Sequence, residues 1–370
     1  MTAFVLIFAP VFTALFGFLF AAIVALRPPG LPLSVRVPQA HADDAVVLSA
    51  IRRFRWGLVL AWVLTAALTL ALALTGQTPL ATLLPVLLYT ALSILSLVLS
   101  RRMILRAKRE GGWFEGLPVR VSAQITAPAA HHPPIVWPAL AAIVLAATTA
   151  VDVALYPGLP DPIAVHFNAA GEPDAYAAKS VWSVFGLLMV GAAVVVLLTV
   201  LSIVAARYNA RTQADDTADQ AALRTRVQRN LLTSLLSRLA FVLALGLSAI
   251  ELAQRLVPGA PWAVGACAIG LIVLVMVVII AAVARARVGL RPANVRDPRS
   301  PRPDAADDDE HWKGGLFYVN RDDPALVVPR RFGLGWTLNF GRPGGIALTV
   351  LLLLVIAGVV TTVILVAHSR

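Results

Sequence analysis

Val181–Ala206 reads VWSVFGLLMVGAAVVVLLTVLSIVAA, an apolar run without one charged side chain. A helix needs roughly 20 apolar residues to cross a ~30 Å hydrocarbon core. In lipid only helices and closed barrels satisfy every backbone polar group internally, so the run predicts a transmembrane helix. Working outward, comparable runs occupy 3–26, 57–75, 80–100, 139–156, 239–257, 262–284 and 346–367. The expected fold class is an all-α polytopic membrane protein with about eight transmembrane helices. A composition of 59% hydrophobic and 14% charged residues, with mean hydropathy +0.80, selects an integral membrane chain over a soluble one.

Basic residues orient the bundle, because loops retained in the cytoplasm accumulate Lys and Arg. The segments 27–56, 101–134, 207–238 and 285–345 together hold 28 of the 31 Lys and Arg. The other three, Lys179, Arg255 and Arg370, fall on the opposite side in strict alternation. Both termini are therefore expected outside and the four basic loops inside. A pI near 10.9 is accounted for by retention charges and attraction to anionic lipid, so direct nucleic-acid binding is not expected. The lone Cys267 lies within the seventh run and excludes an intramolecular disulfide. VPQAHA at 37–42 has the form of a cleavage site, but no Lys or Arg precedes the first apolar run and Arg27 follows it. That run is read as an uncleaved, outward-starting anchor. The Ala- and Arg-rich composition places the chain in a bacterial plasma membrane.

The expected organisation is an N-terminal membrane region over 1–134, a two-helix unit with a long outer loop over 135–210, and a cytoplasmic segment with a transmembrane hairpin over 211–290. An acidic Pro-rich linker over 291–309, a cytoplasmic β module over 310–345 and a last helix over 346–370 complete it. The outer connections at 76–79 and 258–261 are minimal, and spans one to three and five to seven admit a parallel pseudo-repeat. Residues 43–56 suit a short interfacial helix. Residues 111–125 read as a short extended segment, and Asp215, Asp216 and Asp219 before Arg224, Arg226 and Arg229 as a polarised helix. Prolines and an acidic run make 285–310 a linker.

Residues 311–343, HWKGGLFYVNRDDPALVVPRRFGLGWTLNFGRP, switch to β-prone runs at 316–319, 325–328 and 335–340, with a turn at 320–324 and a tight bend allowed by Gly333 and Gly335. Aromatics interleaved with Arg can stack bases, but the same pattern belongs at a membrane interface, and the last apolar run follows within a few residues. The candidate residues of this module are Trp312, Gly315, Tyr318, Asn320, Asp323, Pro329, Gly335, Trp336 and Asn339.

The long outer loop, 156–180, reads YPGLPDPIAVHFNAAGEPDAYAAKS: prolines first, a strand-like 163–167, then a turn at 168–171. Its candidate ligand-binding residues are Pro160, His166, Asn168, Gly171, Glu172, Asp174 and Lys179. His166 with Asp161, Glu172 and Asp174 is either a zinc-like cluster or a brace among solvated acids; no metal or cofactor is assigned. The order LPDPIAVHFNAAGEPDAYAAK followed by a new apolar helix resembles the bacterial membrane domain of unknown function 1648. That domain also occurs in proteins related to the sporulation-delay toxin immunity protein SdpI. The 311–343 segment resembles the domain of unknown function 5808. The first resemblance implies recognition of an extracytoplasmic toxin or signal, passed to a cytoplasmic regulator.

No nucleotide, haem or nucleophile signature appears, so the chain is not expected to be an enzyme. Asp152, Glu251 and Arg255 are ionisable groups inside spans. Glu251 before Arg255 by four is the favourable pairing order on a helix, so the pair is either self-neutralising or joined by Asp152 in a polar pocket. The leading expectation is an immunity or signal-sensing protein meeting an extracellular peptide or toxin; the alternative is a small-solute or ion transporter. An impermeant thiol reagent on intact cells should label Ala169→Cys and not Ala306→Cys. The reverse labelling would overturn the expected topology.

Overall fold

The computed structural model describes residues 17, 30–117, 119–120, 133–167, 173–207, 218–257, 260–294, 304–331, 336–350 and 353–354. Six helices dominate them: α1 (Ala45–Leu74), α2 (Thr78–Glu110), α3 (Val136–Leu155), α4 (Val181–Arg207), α5 (Ala218–Leu256) and α6 (Pro261–Asn294). All six are long and apolar enough to cross a membrane, and they hold expected spans two to seven; the chain is a multi-pass membrane protein. The expected first span, apart from Gly17, and most of the last lie outside the described residues. The helices are apolar where they are exposed: Leu64, Val196, Val200, Val204 and Val277 face outward, while small Ala61, Ala141, Ala240 and Ala244 are buried. Lipid tails are as apolar as Leu, so small residues that admit close helix contact sit at the interfaces instead.

The helices outrun the expected boundaries. The interfacial helix expected at 43–56 is the first part of α1, which continues through Gly57 without a break. The polarised segment expected before span six is, from Ala218 on, part of α5, and α6 extends through residues 285–294, expected to be linker, to Asn294. Ala and Arg are strong helix formers, and Asp44 and Asp219 at the starts of α1 and α5 and Arg291 in the last turn of α6 suit the helix dipole, so nothing in these sequences stops the helix where the apolar run does. Asp215 and Asp216 lie outside the described residues.

Two compact units divide the chain. In the first, Leu33, Val35 and Val37 pack against Val47, Ala50, Phe54 and Leu58 of α1, Leu97 and Ile104 of α2, and Trp113. A β-carbon on Gly57 would lie 2.0 Å from Ser96 Oγ, so glycine sets how closely α1 and α2 approach. Short strands complete this unit. β1 (Val119–Arg120) pairs in parallel with β4 (Asp304–Ala305). β5 (Trp312–Lys313) pairs with β6 (Phe317–Tyr318), and β7 (Val327–Pro329) with β8 (Trp336–Leu338), both antiparallel. A bridge from Tyr318 to Asn339 ties the two hairpins, and a further helix begins at 343. The β-prone runs expected at 316–319 and 335–340 thus contain β6 and β8, and the one expected at 325–328 overlaps β7, which ends one residue later.

The acidic run ahead of β5 is held rather than free. Asp309 accepts hydrogen bonds from the Arg36 backbone N–H at 3.0 Å, from Lys108 Nζ at 2.6 Å and from Arg331 Nη1. Asp308 pairs with Arg36 Nε at 3.2 Å and with Arg331, and Asp307 with Lys108 at 2.6 Å. Burial acts to raise the Asp309 carboxyl, but the Arg331 and Lys108 charges and these hydrogen bonds hold it below its ordinary value. In the second unit, Ala141 and Leu145 of α3, Leu188 and Val195 of α4, and Ala240 and Ala244 of α5 form the core. There Ser202 donates to the Thr233 carbonyl at 3.1 Å.

Removing one partner of a buried ion pair strands the other, at about 3–5 kcal/mol. Asp309→Asn should therefore destabilise the purified full chain by about 3 kcal/mol, read from its thermal unfolding. A depressed carboxylate contributes stability above its unfolded value of roughly 4 and loses it as the pH falls through the lower folded value. Wild-type stability should accordingly fall on acidification below about pH 4, and the variant should show less of that loss.

Candidate functional site: a pinned hairpin and a buried charged triad

The described parts of the connection between α3 and α4 pair as two strands. After Leu155 a 3-10 turn, Tyr156–Gly158, leads into β2 (Ile163–Phe167), which pairs antiparallel with β3 (Pro173–Ala177). The paired Ile163 and Ala177 are both buried, whereas Tyr176 is exposed, the alternation expected of a strand with one covered face. The register shifts between Ala164 and His166 and again before Phe167, an irregularity of the kind that re-aims side chains.

Lys179 fastens the base of the hairpin. Its Nζ donates to the carbonyls of Leu159 at 3.1 Å and Tyr156 at 3.4 Å and lies 5.4 Å from the centre of the Tyr156 ring. Its backbone N–H donates to Asp161 Oδ1 at 2.9 Å, so Asp161 serves as a turn brace. The Tyr156 ring stacks on Phe185 of α4. Ser180 and Ser183 cap α4 reciprocally: the Ser183 N–H donates to Ser180 Oγ at 3.1 Å and the Ser180 N–H to Ser183 Oγ at 2.8 Å. This is capping-box geometry with serine in the place of the usual glutamate. Of the expected ligand-binding residues, Lys179 is thus a pin, Pro160 precedes the cis Asp161–Pro162 bond, and the backbones of His166 and Asp174 lie in β2 and β3. Asn168, Gly171 and Glu172, and the side chains of His166 and Asp174, lie outside the described residues.

The three expected intramembrane ionisable residues come together. Arg255 Nη2 donates to Glu251 Oε1 at 2.6 Å and to the Val184 carbonyl of α4 at 3.1 Å. Arg255 Nε stands 3.8 Å from Asp152 Oδ1, beyond hydrogen-bonding distance. Asp152 and Glu251 are both buried. The favourable helical spacing seen in the sequence does produce the Glu251–Arg255 pair, and α3 adds Asp152 to it.

In the β module, Asn339 is fully buried and works as a staple. Its Oδ1 accepts from the N–H groups of Asn320 at 3.0 Å and Gly341 at 2.9 Å. Its Nδ2 donates to the carbonyls of Asn320, Asp323 and Ala325. Asn320 Oδ1 accepts from the N–H groups of Asp322 and Asp323, which closes the turn. The Tyr318 hydroxyl donates to Asp323 Oδ2 at 3.0 Å. Burial pushes that hydroxyl up to about 12, the Asn320 amide working against the rise and Asp323 adding to it. Trp312 lies beneath the Arg331 guanidinium at 5.1 Å. Gly315, at φ +76, is required where it stands, because a β-carbon would lie 2.0 Å from Arg101 Nη1. Pro329 and Trp336 are paired across β7 and β8; Gly335 lies outside the described residues. The expected module residues are therefore mostly architectural.

The residues that sequence reading passed over are Ser34, Arg36, Arg101, Lys108 and Arg331, which join the N-terminal loop to the module. The available signal was the alternation Leu31, Leu33, Val35, Val37, all of which are buried. Asn339→Asp would turn three hydrogen bonds into carboxylate-to-carbonyl repulsions, and each unmet buried group costs about 1–3 kcal/mol. The full-length variant should melt well below the wild type, and an unchanged melting temperature would remove the staple role.

Residues 143–192 match the family model Domain of unknown function (DUF1648), and residues 321–346 match Family of unknown function (DUF5808). The first match takes in Asp152, the hairpin, Lys179 and the start of α4; the second takes in Arg331, Asn339 and the β7–β8 pair. No curated protein and no solved structure matches the chain. What these comparisons show is that the chain carries two segments similar to families of unknown function, one over 143–192 and one over 321–346.

Proposed function

We propose that this protein is a non-enzymatic receptor of the bacterial plasma membrane, of the immunity or signal-sensing kind, whose α3–α4 hairpin meets an extracytoplasmic peptide or envelope signal. The observation that supports this reading is the pinning of the hairpin. Lys179, Asp161 and the Ser180–Ser183 cap fix its base to two helices, so the two strands rise from a fixed support. Long ordered connections on a rigid scaffold commonly carry binding residues, and preorganisation lowers the entropic cost of recognition. The hairpin also lies inside the segment similar to DUF1648, the domain whose resemblance to immunity-related proteins motivates the toxin or peptide ligand. The β module, clamped to the N-terminal loop, is the element suited to report to a cytoplasmic regulator.

A small-solute or ion transporter is the second reading, favoured by one observation, the burial of Asp152, Glu251 and Arg255 between α3, α4 and α5. Ionisable groups within membrane helices commonly mark ion or substrate routes. The two readings separate on the loop. Changing His166, Asn168 and Glu172 together to Ala should abolish the cellular response to the cognate extracellular agent, with membrane levels unchanged. Deleting 311–343 should spare binding and uncouple the intracellular output. A normally expressed triple variant that keeps the full wild-type phenotype would reduce the hairpin to a structural lid and end the receptor reading.

A further inference from the structure

The triad is not charge-balanced. Two carboxylates, Asp152 and Glu251, face one guanidinium, Arg255, and the guanidinium is not shared equally. Its Nη2 is committed to Glu251 and to the Val184 carbonyl. Its Nε, buried and without a hydrogen-bond partner, stops 3.8 Å short of Asp152. Asp152 is 0% exposed, and both of its carboxylate oxygens are buried with no hydrogen-bond partner. Among the described residues, no other ion pair reaches Asp152 from the neighbouring helices. Asp152 is the sole charged residue of α3, α4 has none before Arg207, and α6 has none before Arg285. A lone charge within a membrane costs ~3 kcal/mol or more, and a buried carboxylate with no donor is the costliest way to hold one.

We propose that Asp152, Glu251 and Arg255 form a binding site for a single monovalent cation. Asp152 is its principal ligand, Glu251 the second, and Arg255 the group that fixes Glu251 in place. The charge count selects the valence: one positive charge brings the site to neutrality, whereas a divalent ion would leave it positive. Hard carboxylate oxygens exclude soft thiophilic metals, and the absence of accessible surface on Asp152 favours small cations, of which a sodium ion and a proton are the two put to the test. An organic ammonium is excluded by size, since Asp152 presents no accessible surface. This site goes beyond the receptor reading and does not rest on it: the loop variants leave the triad intact, and the triad variants leave the loop intact.

The experiment is thermal unfolding of the full-length protein in phosphatidylcholine nanodiscs, with two arms. In the first, sodium replaces N-methylglucamine at constant ionic strength and pH. In the second, pH is raised from mildly acidic to mildly alkaline without sodium. A bound cation stabilises the folded state by mass action, so one arm should move the wild-type melting temperature by several degrees. A rise with sodium identifies a sodium site; a fall as the pH rises, because the proton leaves, identifies a proton site. Asp152→Asn removes the negative charge that needs compensating and should abolish the response in either arm. Glu251→Gln, tested in parallel, should do the same and serves if the first variant fails to fold. A wild type that responds in neither arm, or a response that persists in the folded variants, overturns the proposal.

Discussion

The Asp309 carboxylate is the contact on which the first unit depends. Three stretches far apart in sequence meet there: the backbone at Arg36, Lys108 near the end of α2, and Arg331 just after β7. Each donor stands where its own local structure puts it, and the shared acceptor makes a single unit of them. A buried carboxylate needs hydrogen bonds as well as counter-charge, and here it receives both. With Asp307 and Asp308 beside it, the three acids face Arg36, Lys108 and Arg331 in equal number.

That clamp also accounts for the backbone next to it. Leu33 and Ser34 are both left-handed, at φ 48 and 64, a conformation that L side chains adopt at a cost. Their carbonyls are turned toward Arg101, which donates at 3.0 and 2.7 Å, and the Ser34 carbonyl also accepts from Arg331. Ser34 Oγ in turn donates to the Gly315 carbonyl at 2.7 Å. The turn aims two oxygens at cations and at the same time buries Leu33 in the core. The guanidiniums so used hold both the strained loop and the β module.

Local pattern made much of this legible in the sequence. The apolar runs at 57–75, 80–100, 139–156, 181–206, 239–257 and 262–284 fall within helices, to within a residue at their ends, because hydrophobic length is a local property that lipid enforces. The strands at 163–167 and 317–318 fall where alternation and turn residues predict them, and the strand at 327–329 ends one residue beyond the run expected at 325–328. What stayed hidden depends on partners remote in sequence. The acidic run reads as linker until Arg36, Lys108 and Arg331 are placed around it, and Lys179 reads as a ligand-binding candidate until the carbonyls of Tyr156 and Leu159 converge on it. Helix ends lie beyond the apolar runs for another reason: the change from apolar to basic residues marks where the sequence becomes polar, and helical hydrogen bonding carries on through it.

The Glu251–Arg255 pair shows how far a local rule reaches. Spacing of four on a helix predicts the contact, and taken alone it is neutral and self-sufficient. The third member comes from α3, and no rule of spacing connects Asp152 with residues a hundred positions later. Once it is present, the same guanidinium is asked to serve two acids, and its geometry answers for one: Nη2 lies 2.6 Å from Glu251 while Nε stays 3.8 Å from Asp152. The Val184 carbonyl, held at 3.1 Å by the same Nη2, opposes any rotation that would close the second gap. The imbalance is therefore built from the backbone of α4 as much as from the three charged side chains, which makes it a property of the helix arrangement.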